Sequence, residues 1–199
     1  MKSFKIAILG SDGSGKTTFR KFLKNEFQKQ GLSVDEYVFG WKKFQNPLLR
    51  FISKIYLKSK SEKKKKQERL VRFKERSFLF YLLYYLELWT RQRKVKKSKK
   101  QVTLIDRYFY EELMSIPETG IKFKFFEKLT PRPDLCIVLE APLRTILKRN
   151  HYASPEQLET FYSKLKKLSR IRPMVFVDSS KSLKQMYKSI EKNLPGKLK

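Results

Sequence analysis

A glycine-rich segment directly behind an apolar run is the feature that most restricts how this chain can fold. Residues 10–17 read G-S-D-G-S-G-K-T, which matches the spacing G-x-x-x-x-G-K-T, and they follow the apolar run 4–9. This pattern predicts a strand, a tight loop and then a helix. Glycines let the loop backbone approach an anion closely, and the amide groups at the helix N-terminus face that anion. The sequence therefore predicts a phosphate-binding loop.

The loop residues have distinct predicted roles in holding the phosphates of a nucleoside triphosphate. The Lys16 ammonium neutralises the terminal phosphates, and the Thr17 hydroxyl is placed to ligate Mg²⁺. A glycine turn without a ligand is the alternative. The predicted phosphate-binding residues are Gly10, Ser11, Asp12, Gly13, Ser14, Gly15, Lys16, Thr17 and Thr18.

Strand-like and helix-like segments alternate along the chain, which predicts a parallel sheet with helices on both faces. The predicted strands are 5–9, 33–39, 102–105, 135–139 and 174–177. The predicted helices are 16–30, a short one from Pro47, 69–91, 110–114, 121–128, 143–149, 155–170 and 182–193. We therefore expect a three-layer α/β fold of the P-loop NTPase type with a five-stranded sheet, in a single domain over 1–199.

The predicted helix 69–91 carries aromatic residues around most of its circumference, which favours burial. Its central aromatic row is therefore expected to be core, and a base-stacking platform is the alternative. The row consists of Phe78, Phe80, Tyr81, Tyr84 and Tyr85.

The chain is strongly basic, with 47 Lys and Arg against 19 Asp and Glu and a net charge of +28. Two clusters, 58–66 and 91–100, carry much of the excess. Such a surface attracts polyanions, and nucleic acid is one candidate partner. The alternative is a lysine-rich surface that is only solvated.

Cysteine content and hydropathy favour a cytoplasmic protein. The single cysteine, Cys136, lies in a predicted buried strand, where a small core side chain is expected. The longest apolar run, 78–86, is far shorter than the roughly 20 residues of a membrane span. No signal peptide is expected either, because the first apolar run continues directly into the phosphate-binding loop.

Asp106 and Arg107 follow the third predicted strand. Ligands of open parallel sheets bind beyond the carboxyl ends of the strands. A carboxylate there can hold Mg²⁺ directly or through water, and a guanidinium can contact phosphate oxygens at two points. A purely structural ion pair is the alternative.

Four motifs occur in the order typical of one enzyme family: G-S-D-G-S-G-K-T-T, I-D-R-Y, P-D-L-C-I-V-L-E and V-F-V-D-S-S. Together they resemble the thymidylate kinase family of nucleoside monophosphate kinases. The resemblance covers most of the chain and implies ATP-dependent transfer of the γ-phosphoryl group to a nucleoside monophosphate, with dTMP the expected acceptor. It also implies that Asp12 approaches the acceptor sugar hydroxyl, that Arg107 contacts phosphates and that Asp106 helps to place Mg²⁺.

The resemblance further implies a mobile cationic lid, here expected over 143–158. Arg144, Lys148 and Arg149 follow the fourth strand, and an arginine so placed stabilises charge on the transferring phosphoryl group. Arg144 and Arg149 are the predicted catalytic residues, because lysine cannot clamp an oxyanion bidentately. The alternative is that these cations are ordinary surface residues without a role. His151, the single histidine, is not expected to take part in catalysis.

The acceptor side, expected over 41–101, departs from the family pattern. The family's long helix carries an arginine that reads the pyrimidine, whereas this chain has Tyr84, Tyr85 and Glu87 there, with Trp89 and Arg91 one turn on. The family also places aromatic and proline residues after the second strand, and this chain has Phe44, Asn46 and Pro47 near that position. A further difference is Glu140 in place of the usual Asp after the fourth strand. Action on nucleic-acid ends or on another small metabolite is the alternative. Members of this family are often dimers, so a homodimer is compatible with the resemblance.

Overall fold

Five parallel strands form the middle layer of the protein. The computed structural model describes residues 3–39, 47, 50, 51, 78–114, 116, 120–149 and 154–198. The strands are β1 (Phe4–Leu9), β2 (Val34–Val38), β3 (Val102–Asp106), β4 (Leu135–Glu140) and β5 (Val175–Asp178). All four pairings are parallel and the order is β2-β3-β1-β4-β5. The predicted five-stranded parallel sheet is therefore confirmed.

Helices follow most strands, as the alternating pattern predicts. They are α1 (Lys16–Lys29), α2 (Phe78–Lys96), α3 (Phe109–Leu113), α4 (Ile121–Leu129), α5 (Leu143–Arg149), α6 (Pro155–Leu168) and α7 (Leu183–Glu191). A 3₁₀ turn, Gly196–Leu198, comes after α7.

The predicted end of the long helix at 91 is wrong, because α2 continues to Lys96. Gln92 and Val95 are buried in this extra stretch, so packing holds the last turn in place. Arg93, Lys94 and Lys96 lie in that turn, where cations suit the negative end of the helix. Part of the cationic run 91–100 is therefore helical.

Side chains of the central strand alternate between two apolar layers. Ile6 and Ile8 pack in one cluster with residues of α1 and α7, whereas Ala7 and Leu9 pack in another with residues of α2, α3 and α6. All four are fully buried. Successive strand residues point to opposite faces, so both faces of the sheet must be covered. The three-layer prediction is confirmed.

The aromatic row of α2 is part of the core, as predicted. Tyr81, Tyr84 and Tyr85 are buried, and the ring of Tyr85 lies 4.5 Å from that of Phe126. Cys136 is buried too, and this burial raises the pKa of its thiol. The side chains of Phe78 and Phe80 lie outside the described residues.

Helix α6 begins as its sequence predicts. The Gln157 amide donates to Ser154 Oγ at 3.3 Å, the Ser154 amide donates to Gln157 Oε1 at 3.2 Å, and Pro155 opens the helix. This reciprocal capping satisfies two amides that a helix start leaves without intrahelical partners. It fixes the start of α6 at Ser154 and Pro155, within the range 143–158 predicted to form a lid.

Several sequence predictions fall outside the described residues. They concern the helix from Pro47 apart from residues 47, 50 and 51, which are helical, and the residues Phe44 and Asn46, the cluster 58–66, the helix start at 69–77 and His151. Among the described helices, none is long and apolar enough to cross a membrane.

Candidate active site

The loop between β1 and α1 has the backbone that its glycines predict. Gly13 and Gly15 have φ angles of 91° and 90°, a region that residues with a Cβ rarely adopt. Gly10 has a φ of 145°, and a Cβ there would lie 2.6 Å from Ser14 Oγ and 2.9 Å from the carbonyl oxygen of Leu139. The loop is therefore packed tightly against the end of β4.

Lys16 fills the inside of this loop. Its Nζ donates to the carbonyl oxygens of Gly10 at 2.6 Å and Ser11 at 2.8 Å, and it lies 3.8 Å from Asp12 Oδ1. Only 7% of the side chain is exposed, so the ammonium is held within the curve of the loop. This is the position that the motif predicts for a cation facing phosphates.

The loop residues fit a polyphosphate. The Ser14 hydroxyl is buried without a hydrogen-bond partner among the described residues, so it lacks the partner that buried polar groups normally have. The first turn of α1 contains no acidic residue, so nothing there neutralises the positive end of the helix dipole. A phosphate oxygen would supply the missing partner and meet that positive end.

Tyr162 of α6 contacts the phosphate loop through its hydroxyl, a contact that sequence reasoning missed. Its hydroxyl accepts from the Ser11 amide at 3.3 Å, lies 3.1 Å from Ser11 Oγ and donates to the Leu139 carbonyl at 2.9 Å. Burial raises its pKa, so the hydroxyl keeps its proton. Nothing in the sequence pattern links position 162 to the loop, because the contact spans about 150 residues.

Asp106 lies at the carboxyl end of β3, beside the loop. The parallel register pairs it with Ile8, two residues before Gly10. Its Oδ2 accepts from Arg20 Nη1 at 2.8 Å, whereas its Oδ1 is buried without a hydrogen-bond partner among the described residues. The structure therefore brings Asp106 to the loop and leaves one carboxylate oxygen uncommitted.

Arg107 adopts a left-handed backbone with a φ of 58°, the one positive φ outside glycine in the described chain. For a residue with a Cβ this conformation costs on the order of 1 to 2 kcal/mol. Its guanidinium donates to Asp12 and lies 3.9 Å from Glu111 Oε2. Burial alone would lower the pKa of Arg107, but the charges of Glu111 and Asp12 raise it above its ordinary value.

Glu111 is a further acidic residue of the site that sequence reasoning missed. Its side chain is 13% exposed, and its Oε1 is buried without a hydrogen-bond partner among the described residues. Burial raises the pKa of Glu111 from 4.5 to about 7, although the positive charges of Lys16 and Arg107 act to lower it. Its place four residues after Arg107 on a helix start was the available signal.

The lid arginines have different positions. Arg149 Nη1 donates to the Gly13 carbonyl oxygen at 3.3 Å, so α5 reaches the phosphate loop. Arg144 and Lys148 are exposed, and no hydrogen bond or ion pair within the described residues joins them to that loop. The structure therefore brings Arg149, and not Arg144, to the predicted phosphate site.

Polar groups of α2, in the region predicted to bind the acceptor, and of α3 are buried. Arg91 donates to Glu87 Oε1 at 3.0 Å and to the Val38 carbonyl at 3.4 Å. The Tyr84 hydroxyl donates to Glu112 Oε1 at 3.1 Å, and burial raises its pKa well above its ordinary value. Glu87 and Arg91 thus form a buried ion pair at the end of β2.

The residues predicted to hold Mg²⁺ offer the hard oxygen atoms that this ion prefers. These are the free Oδ1 of Asp106 and the hydroxyl of Thr17, an exposed residue at the start of α1. Within the described residues, no group of three or more His, Cys, Asp or Glu side chains could hold a metal. Mg²⁺ usually keeps waters and substrate phosphates and takes one or two carboxylates from the protein, a donor set of the kind that Asp106 and Thr17 offer.

A lysine-bearing phosphate loop after the central strand of a parallel sheet defines the class of this protein as a P-loop NTPase fold. The family model described as thymidylate kinase matches residues 8–190. The chain therefore belongs to the thymidylate kinase family. The predicted family and enzyme class, a nucleoside monophosphate kinase, are confirmed.

Individual relatives agree with this assignment. A probable thymidylate kinase of Methanosphaera stadtmanae is 28% identical over 162 residues, which cover 80% of this chain and 75% of that protein. Probable thymidylate kinase 1 of Saccharolobus solfataricus is 26% identical over 204 residues, which cover 95% of this chain and 97% of that protein. The solved thymidylate kinase of Candida albicans has a TM-score of 0.60 at 20% identity, covering 96% of this chain and 92% of that one. The last comparison confirms the fold.

Replacing Gly10 with alanine is expected to damage the loop. The added Cβ would meet the Leu139 backbone oxygen at 2.9 Å, and that oxygen cannot move without displacing β4. We expect a loss of about 1 to 3 kcal/mol in unfolding free energy, together with loss of ATP binding. Gly31→Ala is the matched control, because Gly31 also has a positive φ but open space around it. Urea unfolding and a nucleotide-binding titration measure both effects, and equal losses in the two variants would contradict the packing argument.

Tyr162→Phe is expected to loosen the loop without unfolding the protein. The variant loses the hydroxyl contacts to Ser11 and Leu139, and a net hydrogen bond contributes about 1 kcal/mol. We expect the KM for ATP to rise roughly fivefold. Steady-state kinetics measures it, with Tyr187→Phe as the control because that hydroxyl bonds Gln30, remote from the loop. An unchanged KM for ATP in Tyr162→Phe would rule out the supporting role.

Glu111→Gln is expected to stabilise the protein at high pH. The unfolded carboxyl loses its proton near 4.5, but the folded one keeps it until about 7, so stability falls as the pH rises between these values. Glutamine avoids this penalty, which amounts to at most about 3 kcal/mol. We expect a gain in unfolding free energy at pH 8 that is several times larger than at pH 5, measured by urea unfolding. Glu159→Gln, at an exposed position, is the control; an equal gain at both pH values would contradict the burial argument.

Proposed function

We propose that this chain transfers the γ-phosphoryl group of ATP to dTMP, which yields ADP and dTDP. The observation that carries the proposal is the arrangement at one edge of the sheet. Lys16 begins α1 behind the phosphate loop, Asp106 and Arg107 lie at the end of the neighbouring strand β3, and Arg149 reaches the loop from α5. Phosphoryl transfer depends mainly on positioning and charge neutralisation, which such a cluster supplies.

The donor side is assigned to the phosphate loop. Residues 10–18 surround the triphosphate with backbone amides and hydroxyls, and Lys16 neutralises its terminal phosphates. Lys16 would then exchange its bonds to the Gly10 and Ser11 carbonyls for bonds to phosphate oxygens. Arg149 and Arg144 of the lid stabilise the charge of the transferring group, with Arg149 already in contact with the loop.

Thr17 and Asp106 are the residues that would hold Mg²⁺. When bound, the ion neutralises charge on the phosphate oxygens during transfer. Asp106 fits this role because its Oδ1 is buried and has no hydrogen-bond partner among the described residues.

The acceptor side is assigned to Arg107 and Asp12. Arg107 would hold the acceptor phosphate in two-point contact, and Asp12 would accept a hydrogen bond from the sugar hydroxyl. In the present structure these two side chains bond each other, so the acceptor would replace that ion pair on both sides. The names of the relatives support dTMP, although Tyr84 and Glu87 stand where the family's base-reading arginine is expected.

Several finer assignments stay predictions. They are the single domain over 1–199 with its acceptor region 41–101 and lid 143–158, the cytoplasmic location, the homodimer and nucleic-acid binding. The Candida albicans enzyme is described as having broad substrate specificity, so the acceptor range of this chain needs direct measurement.

Measuring ADP release with ATP, Mg²⁺ and a panel of monophosphates tests the proposal. We expect dTMP to be the best of dTMP, dUMP, dCMP, dAMP and dGMP. Lys16→Ala should lower kcat by at least about a hundredfold, because a cation that faces the transferring phosphate is lost. Lys21→Ala, at an exposed position of the same helix, is the control and should leave kcat within about twofold.

Two outcomes would contradict the proposal. ADP release at background level with every monophosphate would exclude the reaction, and a wild-type rate in Lys16→Ala would show that the donor site is wrongly placed. Preference for another monophosphate would exclude dTMP as the main acceptor while leaving the donor site intact.

A further inference from the structure

Arg20 joins the phosphate-loop helix to two strands of the sheet. From α1, its Nη1 donates to Asp106 Oδ2 at 2.8 Å and its Nε donates to Glu36 Oε1 at 3.0 Å. Asp106 ends β3 and Glu36 lies on β2, so one guanidinium connects three elements. The Arg20 side chain is only 14% exposed, and the Asp106 side chain 10%. This is a largely buried arrangement in which each partner restricts the others.

The arrangement engages one oxygen of Asp106 and leaves the other available. Oδ2 is held by Arg20, whereas Oδ1 is buried and has no hydrogen-bond partner among the described residues. A buried carboxylate oxygen without a partner costs free energy, so such an atom in a native site calls for a ligand. The fixed Oδ2 sets the rotation of the carboxylate about its last bond, and therefore the direction in which Oδ1 points.

The charges along this network alternate, which keeps Arg20 in place. Lys24 Nζ donates to Glu36 Oε2 at 2.6 Å, so Glu36 lies between two cations. Burial alone would raise the pKa of Glu36, but Lys24 and Arg20 lower it below its ordinary value. Glu36 therefore stays ionised at neutral pH and holds the Nε edge of the guanidinium. Two separate nitrogens of the guanidinium donate to Glu36 and Asp106, whereas a lysine at position 20 would offer one ammonium nitrogen and no fixed planar geometry.

We propose that Arg20 is a positioning residue, which orients the Asp106 carboxylate so that Oδ1 alone is presented to the Mg²⁺ of the bound nucleotide. The inference rests on the proposed function, since it takes Asp106 as the acidic residue of the nucleotide site. Arg20 lies four residues after Lys16, so helical spacing places both on the same face of α1. Arg20 reaches the nucleotide only through Asp106, and is not itself a catalytic residue.

A double-mutant cycle with a binding readout tests this role. The variants are Arg20→Met, Asp106→Asn and the double variant, and the readout is the Kd of a fluorescent non-hydrolysable ATP analogue, with Mg²⁺ and with EDTA. We expect Arg20→Met to bind the analogue in EDTA within about twofold of wild type. Its Mg²⁺-dependent gain in affinity should fall roughly tenfold. The double variant should lose no more of this gain than Asp106→Asn alone, because both substitutions remove the same interaction.

Three results would overturn the proposal. A stronger Mg²⁺-dependent gain in Arg20→Met would mean that Arg20 acts only as a repelling charge. An equal loss of affinity for the analogue with Mg²⁺ and with EDTA in Arg20→Met would point to a general effect on the phosphate loop. Additive losses in the double variant would show that Arg20 does not act through Asp106.

Two further variants keep the test decisive. If Arg20→Met does not fold, Arg20→Lys takes its place in the same cycle. The Mg²⁺-dependent gain in affinity of Arg20→Lys should be roughly threefold smaller than that of wild type, and an unchanged gain would contradict the need for a planar guanidinium. Lys21→Gln, on the exposed side of α1, is the matched control and should leave both Kd values unchanged. No step of this experiment uses dTMP, so a failure of the proposed acceptor leaves it interpretable.

Discussion

Parallel pairing of β1 with its two neighbours is the constraint on which the whole site depends. The register places Ile8 opposite Asp106 and Leu9 opposite Val138, so the chain leaves all three strands at the same edge of the sheet. The phosphate loop can therefore contact the ends of β3 and β4 although they are about 100 residues or more away in sequence. Gly10 is needed there because a Cβ would strike the Leu139 carbonyl.

The site is a set of alternating charges held by ion pairs within the protein. Asp12 is paired with Arg107, Asp106 with Arg20, and Lys16 with loop carbonyls. Under the proposed function, a nucleotide would compete for Lys16 and Arg107, so its phosphates would replace their bonds to the loop carbonyls and to Asp12, whereas the Arg20–Asp106 pair would stay in place. This explains how so many charges can lie close together in a partly buried site, since each is compensated before any ligand arrives.

Short-range patterns predicted the fold well and the site in part. The order of strands and helices, the capping of α6 and the burial of the α2 aromatics follow from periodicity and capping chemistry, which act over a few residues. The end of α2 was placed too early, because buried contacts of Gln92 and Val95 extend a helix that polar composition alone would stop. Arg20 and Tyr162 lie outside any motif, and their roles come from distant contacts that no local pattern encodes. Glu111 lies four residues after Arg107, a local signal that sequence reasoning did not use.

By itself, the sequence determined a phosphate-binding loop, a parallel sheet around it and the family to which the chain belongs, because glycine spacing and strand–helix alternation are local properties of the chain. The tertiary structure decided which side chains meet. It brings Arg149 to Gly13, whereas no hydrogen bond or ion pair of the described residues joins Arg144 to the loop. It also turns one oxygen of Asp106 to Arg20, while the other has no hydrogen-bond partner in the described chain. Those choices depend on packing between segments far apart in sequence, where a shift of one ångström makes or breaks a hydrogen bond.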